Sequence, residues 1–365
     1  MKTNTEDKKI ISYRLIIFIC ILAVLIIAHL VMLSVSRKLK SNSTEQYAAE
    51  RWMNNNSEIN YAQISCFMTS DAGFTADNIL SLNRSYDDRM LSESISSQTG
   101  ARLWIHAYSG KGNVSVDADT NIPAQVTTIG GDFFYFHNIP LLSGNYFTDD
   151  PLNSDHVIIN ESLAWQLFGS NDIIGKDIFI NDVPYNIAGV SKDIHGENQA
   201  ANPHIYMQYD VYQKMDNSVF ISCYEVLLPN PISDFALNIV KEYVRLNQME
   251  HEIIQNTERF NLINTFKVLS NLKERNIKTS KVLYPEWENT ARITEYKLAR
   301  LLSIRIIISV MMFTVLIVMI IVYRTNISDF FEKTVKVIKT KAKNTKIAKA
   351  IEERRRKEYE KKEYH

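Results

Sequence analysis

Cysteine is scarce in this chain, which excludes a disulfide-rich secreted domain. Only three cysteines occur among 365 residues. Cys20 lies in an apolar run, so Cys66 and Cys223 are the only pair that could form a disulfide outside it. Both lie in strand-like apolar stretches, where a buried free thiol is the more common state. We therefore expect free thiols, with a disulfide between Cys66 and Cys223 as the alternative.

Sequence motifs of known catalytic chemistry are also missing. The chain contains no G-x-x-x-x-G-K-[ST] phosphate-binding loop and no G-x-S-x-G nucleophile motif. His251–Gln255 starts like a zinc-protease helix but lacks its second histidine, and we interpret it as the solvated face of a helix. His195, Glu197 and His204 could gather a weakly bound metal, but their surroundings indicate a polar loop. We predict no catalytic, cofactor or metal site.

Charged residues are absent from two long apolar runs, 15–35 and 306–323. Each run has roughly the 20 apolar residues that a helix needs to cross a hydrocarbon core of about 30 Å. The first run is too long for the apolar region of a cleavable signal peptide, and no small-x-small cleavage site follows it. The sequence therefore predicts two transmembrane helices, at 15–35 and 301–323.

The flanks of these runs predict their orientation. The segment 324–365 holds fourteen Lys or Arg against seven acidic residues, so it is expected to stay in the cytoplasm, together with the N-terminus 1–14. Arg37, Lys38 and Lys40 lie on the opposite side and do not follow this rule. Residues 36–300 would then lie outside the cell membrane, with a net charge of about −10, which argues against nucleic acid as a partner.

Glycine is confined to the middle of the chain. All eleven glycines fall between Gly73 and Gly196, so turns are concentrated there and the later part is expected to be more helical. Hydrophobic periodicity predicts a strand at 61–68, a helix at 75–96 with Thr75 as its N-cap, and a strand at 102–108. These elements form a β-α-β unit. The inward positions of its helix are expected to be Ile79, Leu82, Tyr86, Met90 and Leu91.

The centre, 123–193, is predicted as a smaller lobe of short strands with one helix, 161–168. The earlier pattern resumes after Pro203. There we predict strands at 204–209, 220–227 and 279–284 and helices at 233–247 and 251–276. The predicted fold is an α+β extracytoplasmic domain, in which a β-α-β frame carries an inserted β-rich lobe, between two transmembrane helices.

The centre also carries a family resemblance. The segments that carry it are 129–134 (IGGDFF), 139–147 (IPLLSGNYF), 157–164 (VIINESLA), 167–169 (LFG), 174–176 (IGK) and 187–190 (IAGV). In this order they resemble the MacB-type periplasmic core domain of ATP-binding cassette (ABC) transporter permeases, of the MacB/FtsX-like family. Residues 287–292 (WENTAR) resemble the segment that leads such domains back to the membrane.

The motif residues are expected to specify the fold rather than to catalyse a reaction. Gly144 is predicted in a turn with positive φ, Asn160 as the N-cap of the 161–168 helix, and Gly169 as the residue that ends it. The full set of candidate structural residues is Gly144, Asn160, Phe168, Gly169, Gly175 and Gly189. The aromatic run 133–136 could face a ligand, but we predict alternate burial in a strand.

The resemblance implies a membrane subunit or accessory component whose outer domain is moved by a separate ATPase. Segments 36–52 and 287–302, with Trp52 and Trp287, would be the stalk helices that transmit this movement. The implied partners are an ABC ATPase subunit and either a four-helix permease or a second copy. The transported or sensed ligand is not indicated.

The chain departs from the family pattern after residue 323. Complete permeases of this type have two further membrane helices. Here, instead, apolar residues lie at roughly helical spacing among many lysines; they are Phe330, Phe331, Val335, Ile338, Ala342 and Ile351. This pattern is typical of a basic amphipathic helix on membrane lipids, and a simple topology signal is the alternative. A second function stays open: a two-pass extracytoplasmic binding or sensory protein that signals through its basic tail.

Overall fold

The computed structural model describes residues 3–53, 59–96, 102–118, 120–193, 202–247, 250–271, 281–282, 284–344, 351 and 353–356. The chain divides into two compact units. Unit 1 contains the two ends of the chain, Met1–Val35 and Leu301–His365, and unit 2 is Ser36–Arg300.

Two long helices account for the apolar runs. Helix α1 is Thr3–Ser41 and helix α9 is Glu286–Asn344. Their segments Leu15–Ser41 and Glu286–Arg324 are long and apolar enough to cross a membrane. Helix α9 has one non-helical residue, Tyr323, at the end of its apolar segment. Beyond it, the apolar side chains of Val335 and Ile338 are exposed, and the side chains of 325–333 lie outside the described set. The amphipathic tail stays a prediction.

Unit 2 is built on one mixed sheet. Within the described residues it has ten strands, which are β1 (Tyr61–Met68), β2 (Ile105–Val116), β3 (Ile122–Gly131), β4 (Leu141–Gly144), β5 (His156–Asn160), β6 (Asp177–Ile180), β7 (Val183–Ser191), β8 (His204–Gln208), β9 (Cys223–Pro229) and β10 (His251–Gln255). Their order is β10-β1-β9-β2-β3-β8-β5-β7-β4, with β6 paired to β2 and β7. Both faces of the sheet are covered, by two large clusters of buried apolar side chains.

The remaining helices of unit 2 are short. They are α2 (Ala48–Met53), α3 (Ala76–Ser92), α4 (Phe133–Phe136), α5 (Glu161–Phe168), α6 (Tyr209–Met215), α7 (Phe235–Tyr243) and α8 (Leu262–Ser270). Single 3-10 turns occur at Thr44–Tyr47, Ser70–Ala72 and Pro151–Asn153.

The predicted frame is a split β-α-β unit. Strand β9 lies between β1 and β2 and is antiparallel to both, so β1 and β2 run in parallel on either side of it. Helix α3 connects them and begins at a capping box formed by Thr75 and Asn78. Ile79, Leu82, Tyr86 and Met90 are buried, as predicted. Leu91 is 79% exposed, so its predicted inward position is wrong, because it lies about 100° further round the helix than the buried Met90.

The β-rich centre continues the same sheet. Strand β3 pairs along its whole length with Ala107–Val116 of β2, and β8 joins β3 in parallel. The hairpin of β6 and β7 turns at Asn181 and Asp182, both with positive φ. The α+β fold class is confirmed.

Two local predictions are wrong. His251–Gln255 is the edge strand β10, paired antiparallel with β1, and not the first part of a helix. Among the described residues of the predicted helix 251–276, the helical part is α8, which begins after the N-cap Asn261. The aromatic run Phe133–Phe136 is a helical turn and not a strand, because Gly131, with φ of 65°, turns the chain at the end of β3. Of the strand predicted at 279–284, residues 279, 280 and 283 lie outside the described residues, and 281, 282 and 284 are not in a strand.

The cysteines are free, as expected. Cys223 is opposite Phe67 in the register of β9 and β1, so Cys66 is one position further along. Successive side chains of a strand point to opposite faces. Cys66 therefore packs in one core cluster and Cys223 in another, which keeps the two thiols apart.

Candidate functional site

The family-motif residues surround α5 and the strands β4, β5 and β7. Gly144 has φ of 78°, and a Cβ there would lie 2.1 Å from the carbonyl oxygen of Ala188, so only glycine fits. Gly169 and Gly175 also have positive φ, with open space around them. At Gly189 a Cβ would lie 3.0 Å from the carbonyl oxygen of Asn145, because β4 and β7 are close neighbours here.

Asn160 holds three segments together. Its side-chain oxygen accepts hydrogen bonds from the backbone N–H groups of Leu163 at 3.2 Å and His204 at 2.9 Å. Its amide nitrogen donates to Asp193 at 2.6 Å. Phe168, at the other end of α5, is half-buried, with the Lys176 ammonium 5.1 Å from its ring centre. These residues shape turns and helix ends, and none of them presents a reactive group.

No metal site is found among the residues that the structure describes. His195 and Glu197 lie outside them. His204 is within hydrogen-bonding distance of the Thr127 hydroxyl, at 3.0 Å, and burial lowers the pKa of its imidazole to about 4.

The most unusual feature of unit 2 is a set of buried charges. We call it the ion-pair cluster, and it consists of Gln46, Glu252, Asn256, Arg259, Glu288, Arg292 and Glu295. It joins the 3-10 turn after α1, the edge strand β10 and the first turns of α9. A buried charge is costly unless it is paired and hydrogen-bonded, so the contacts of each member matter.

Arg259 is the centre of the ion-pair cluster and is only 5% exposed. Its two terminal nitrogens donate to the carboxylate of Glu288 at 2.6 and 2.8 Å, and its Nε donates to Glu295 at 2.8 Å. A further bond of 3.2 Å reaches the side-chain oxygen of Gln46. One guanidinium therefore connects the 3-10 turn after α1 with the first turns of α9.

Arg292 makes the second set of contacts. Its Nε donates to Glu288 at 2.7 Å and its Nη2 donates to Glu252 on β10 at 2.9 Å. The guanidinium also stacks on the Tyr284 ring, 3.8 Å from its centre, and the Tyr284 hydroxyl donates to Glu252. These contacts fix the start of α9 to the edge of the sheet.

A buried polar chain extends from the cluster across the sheet. Asn256 donates to the Ser65 hydroxyl at 2.6 Å, and Ser65 donates to Glu225 at 2.7 Å. The other oxygen of Glu225 is 2.5 Å from the Nε2 of His137, just after α4. Gln63, beside Ser65, donates to the backbone oxygen of Glu45 at 2.7 Å. The chain thus leads from α9 through β10, β1 and β9 to α4.

Electrostatic interactions keep Arg259 and Glu225 of this network charged. Burial alone would lower the pKa of Arg259, but Glu288 and Glu295 raise it above its usual range. Burial alone would raise the pKa of the Glu225 carboxyl. The nearby His137 and the hydrogen bonds that Glu225 accepts from His137, Ser65 and Gln63 lower this pKa instead. The carboxylate and the guanidinium therefore stay charged at neutral pH.

The two predicted stalk tryptophans meet at α4. Trp52 lies edge-on to Tyr135, with ring centres 5.5 Å apart. Trp287 lies 4.3 Å from the His137 ring and 6.1 Å from Phe133. The neighbour of Trp52, Arg51, donates to the backbone oxygen of Tyr135 at 2.8 Å. The aromatic run Phe133–Phe136 is thus packed between Trp52, which follows α1 in the chain, and Trp287, at the start of α9.

Sequence reasoning missed the ion-pair cluster. Its available signal was the spacing of Glu288, Arg292 and Glu295, which places three charges on one face of a helix. Arg259 carried no local signal, because its partner Gln46 is 213 positions away in sequence.

Comparisons with known proteins give one consistent result. The family described as MacB-like periplasmic core domain matches residues 15–247. The chain is 33% identical over 95 residues to an ABC transporter permease, YvrN, of Bacillus subtilis (strain 168), a segment that is 24% of this chain and 23% of that protein. It is 26% identical over 164 residues to the macrolide export ATP-binding/permease protein MacB of Shewanella sp. (strain ANA-3), covering 42% of this chain and 24% of MacB. The match thus spans about a quarter of the length of each relative.

Two solved structures also align with the chain. The extracellular domain of the ABC-type transporter YknZ from Gram-positive bacteria aligns with a TM-score of 0.38 and 15% identity, covering 53% of this chain and all of that domain. The periplasmic region of MacB from Actinobacillus actinomycetemcomitans aligns with a TM-score of 0.37 and 13% identity, covering 55% of this chain and 92% of that region.

Proposed function

This chain belongs to the family with the MacB-like periplasmic core domain, and from this premise we propose that it is a membrane subunit or accessory component of a MacB/FtsX-like ABC system. In the proposed arrangement, a separate ATPase hydrolyses ATP inside the cell and moves the outer domain. No phosphate-binding loop occurs in the printed sequence, which supports a division of labour between this chain and an ATPase.

The proposed topology follows from the two apolar helices and their flanks. Residues 15–35 and 301–323 would cross the cell membrane, with both termini in the cytoplasm and unit 2 outside. The basic segment 324–365 would then lie on the inner leaflet, where anionic lipids attract Lys and Arg. Partners of this arrangement would be an ABC ATPase together with a four-helix permease or a second copy of the chain.

The ion-pair cluster is the observation that carries the mechanical part of the proposal. A lever transmits movement only if its end is firmly fixed to the body that it moves. Arg259 bonds to Glu288 and Glu295 on α9 and to Gln46 after α1. Displacing either segment would break buried charge-assisted hydrogen bonds, which are among the stronger ones in proteins. Movement of the stalks would therefore carry the sheet with it.

One of the two stalk segments suits the same role. Segment 287–302 lies within α9 and contains no glycine or proline, the residues that most often kink or weaken a helix. Segment 36–52, predicted as a stalk helix, is not one helix, because α1 ends at Ser41 and a 3-10 turn precedes α2 at Ala48. Trp52 and Trp287 add aromatic contacts to α4 from both segments. A tilt of α1 or α9 would thus reach the family-motif region of the outer domain by two routes, one polar and one aromatic.

Co-purification tests this proposal. The tagged full-length protein is isolated from its own cell membranes in several mild detergents, and the proteins recovered with it are identified. We expect an ABC ATPase and vanadate-sensitive ATP hydrolysis in the eluate. Recovery of the chain without any ATPase, or together with a kinase, would refute the proposal and favour a sensory protein.

A further inference from the structure

Helix α8 exposes an apolar face that packing within unit 2 does not explain. Leu262 is 63% exposed, Ile263 68% and Phe266 56%. Positions i, i+1 and i+4 lie on one side of a helix. The opposite side, with Thr265 and Val268, is buried against the domain. Single exposed apolar residues are common on protein surfaces, but three on one face of a nine-residue helix form a patch that favours an apolar neighbour.

The start of α8 packs against the parts of α1 and α9 that belong to unit 2. Phe260, two residues before α8, lies in one apolar cluster with Leu298 of α9 and Leu39 of α1. Leu298 is three residues before Leu301, a distance of about 5 Å along a helix, and Leu39 is four residues after Val35, about 6 Å. Both are therefore within about one helical turn, along their own helix, of a proposed membrane boundary.

Basic side chains accompany the apolar face. Lys267 is exposed on α8 beside Phe266, and Arg37 and Lys38 are exposed at the end of α1. Arg37 and Lys38 are on the side of the membrane where the positive-inside rule does not expect them. Lys and Arg next to a membrane are attracted to anionic lipid headgroups, which gives these residues a role that the topology alone does not provide.

We propose that α8 lies in the headgroup region of the outer leaflet, with Leu262, Ile263 and Phe266 inserted among the lipids. Lys267 would then contact anionic headgroups. The arrangement of an apolar face with flanking lysine is that of an interfacial amphipathic helix. This inference rests on the proposed function in one respect, because it requires residues 301–323 to span the membrane. A lipid surface is favoured over a protein partner because Phe260, two residues before this face, packs with Leu298, which is three residues before the proposed membrane span.

Three exposed phenylalanines allow a matched test in the full-length chain. Phe266 is on α8, Phe313 is 68% exposed in the apolar part of α9, and Phe179 is 47% exposed on β6. Phe179 is next to Ile180, which pairs with Val116 at the end of β2. Because a strand rises about 3.3 Å per residue, this end is about 35 Å from Ile105 at the start of β2.

The three positions are compared by nitroxide labelling. Each is replaced by cysteine (Phe266→Cys, Phe313→Cys or Phe179→Cys) in a Cys20→Ser background, with the buried Cys66 and Cys223 left in place. The labelled chain is placed in nanodiscs of phosphatidylcholine and phosphatidylglycerol, one chain per disc. The measured quantity is the ratio of label accessibility to oxygen, which concentrates in lipid, and to a water-soluble nickel complex.

We expect the ratio at position 266 to shift from the low value of position 179 towards the high value of position 313. Lys267→Glu should reduce that shift in anionic discs. A low ratio at 266 with a high ratio at 313 would overturn the inference and leave the proposed topology intact. Low ratios at both positions would refute the proposed membrane span itself. Protection of position 266 only in discs that hold two chains would assign the patch to a second copy and would also overturn the inference.

Discussion

Replacement of Arg259 by methionine removes the central cation of the ion-pair cluster. The parent side chain is 5% exposed and bonds to Glu288, which is fully buried, and to Glu295. Loss of one partner leaves buried carboxylates with less compensation, which typically costs about 3 to 5 kcal/mol. Methionine retains much of the apolar volume, so the cost would come from the charges and not from a cavity.

Arg102→Met is the matched control. Arg102 forms two hydrogen bonds with Asp132, at 3.0 and 2.8 Å, but its side chain is 61% exposed. A solvent-exposed ion pair contributes only about 0 to 1 kcal/mol. The two substitutions therefore have the same chemistry and differ in burial.

Thermal unfolding of the full-length protein in detergent, followed by near-ultraviolet circular dichroism, compares the two variants. For a domain of this size, about 1 kcal/mol shifts the melting temperature by about 2 to 4 °C. We expect a decrease of about 6 to 20 °C for Arg259→Met and of no more than about 4 °C for Arg102→Met. Equal small decreases would refute the idea that the ion-pair cluster fixes α9 to the sheet.

Three further predictions concern the lobe, the topology and the pH response. Leu163→Ala should lower the free energy of unfolding in urea by about 2 to 5 kcal/mol, because Leu163 is fully buried. Phe168→Ala should lower it by less, because Phe168 is half-buried. A larger loss for Phe168→Ala than for Leu163→Ala would contradict the packing of α5. An impermeant thiol reagent should label Asn113→Cys but not Lys339→Cys in intact cells, and labelling at the second position alone would invert the topology. Burial lowers the pKa of His204 to about 4, below its value of about 6.5 in the unfolded chain. The free energy of unfolding should therefore fall as the pH decreases from about 6.5 to about 4. His204→Gln should weaken this pH dependence, and an equally steep dependence in the variant would contradict the prediction.

The parts of the fold that could be predicted are those specified by neighbouring residues. Helix α5 lies at 161–168 as predicted, because Asn160 caps its start and Gly169 ends it in a left-handed conformation. The turn at Asn181 and Asp182 likewise depends on residues that tolerate positive φ. In these cases the information is contained within a few positions of the chain.

The wrong predictions depend on distant contacts. His251–Gln255 is a strand because it pairs with β1, where Ile64 is opposite Gln255, and no local pattern indicates this partner. The ion-pair cluster has the same origin, since it joins residues near 46, 259 and 288 that only the fold brings together. The turn at 133–136 is a different case, because Gly131 was a local signal for the end of β3 whose effect on the aromatic run was not recognised.

The direct test of the central claim is a distance measurement during ATP hydrolysis. A nitroxide label at Phe179→Cys reports on the outer domain, and a second label on the ATPase subunit reports on the cytoplasmic side of the complex recovered with it. We expect the distribution of distances between the two labels to shift between the nucleotide-free state and the state trapped with ATP and vanadate. The Arg259→Met complex, compared at a temperature where its outer domain is folded, should show a smaller shift. Superimposable distributions in the parent complex, while ATP is being hydrolysed, would contradict the proposal that the ATPase moves the outer domain.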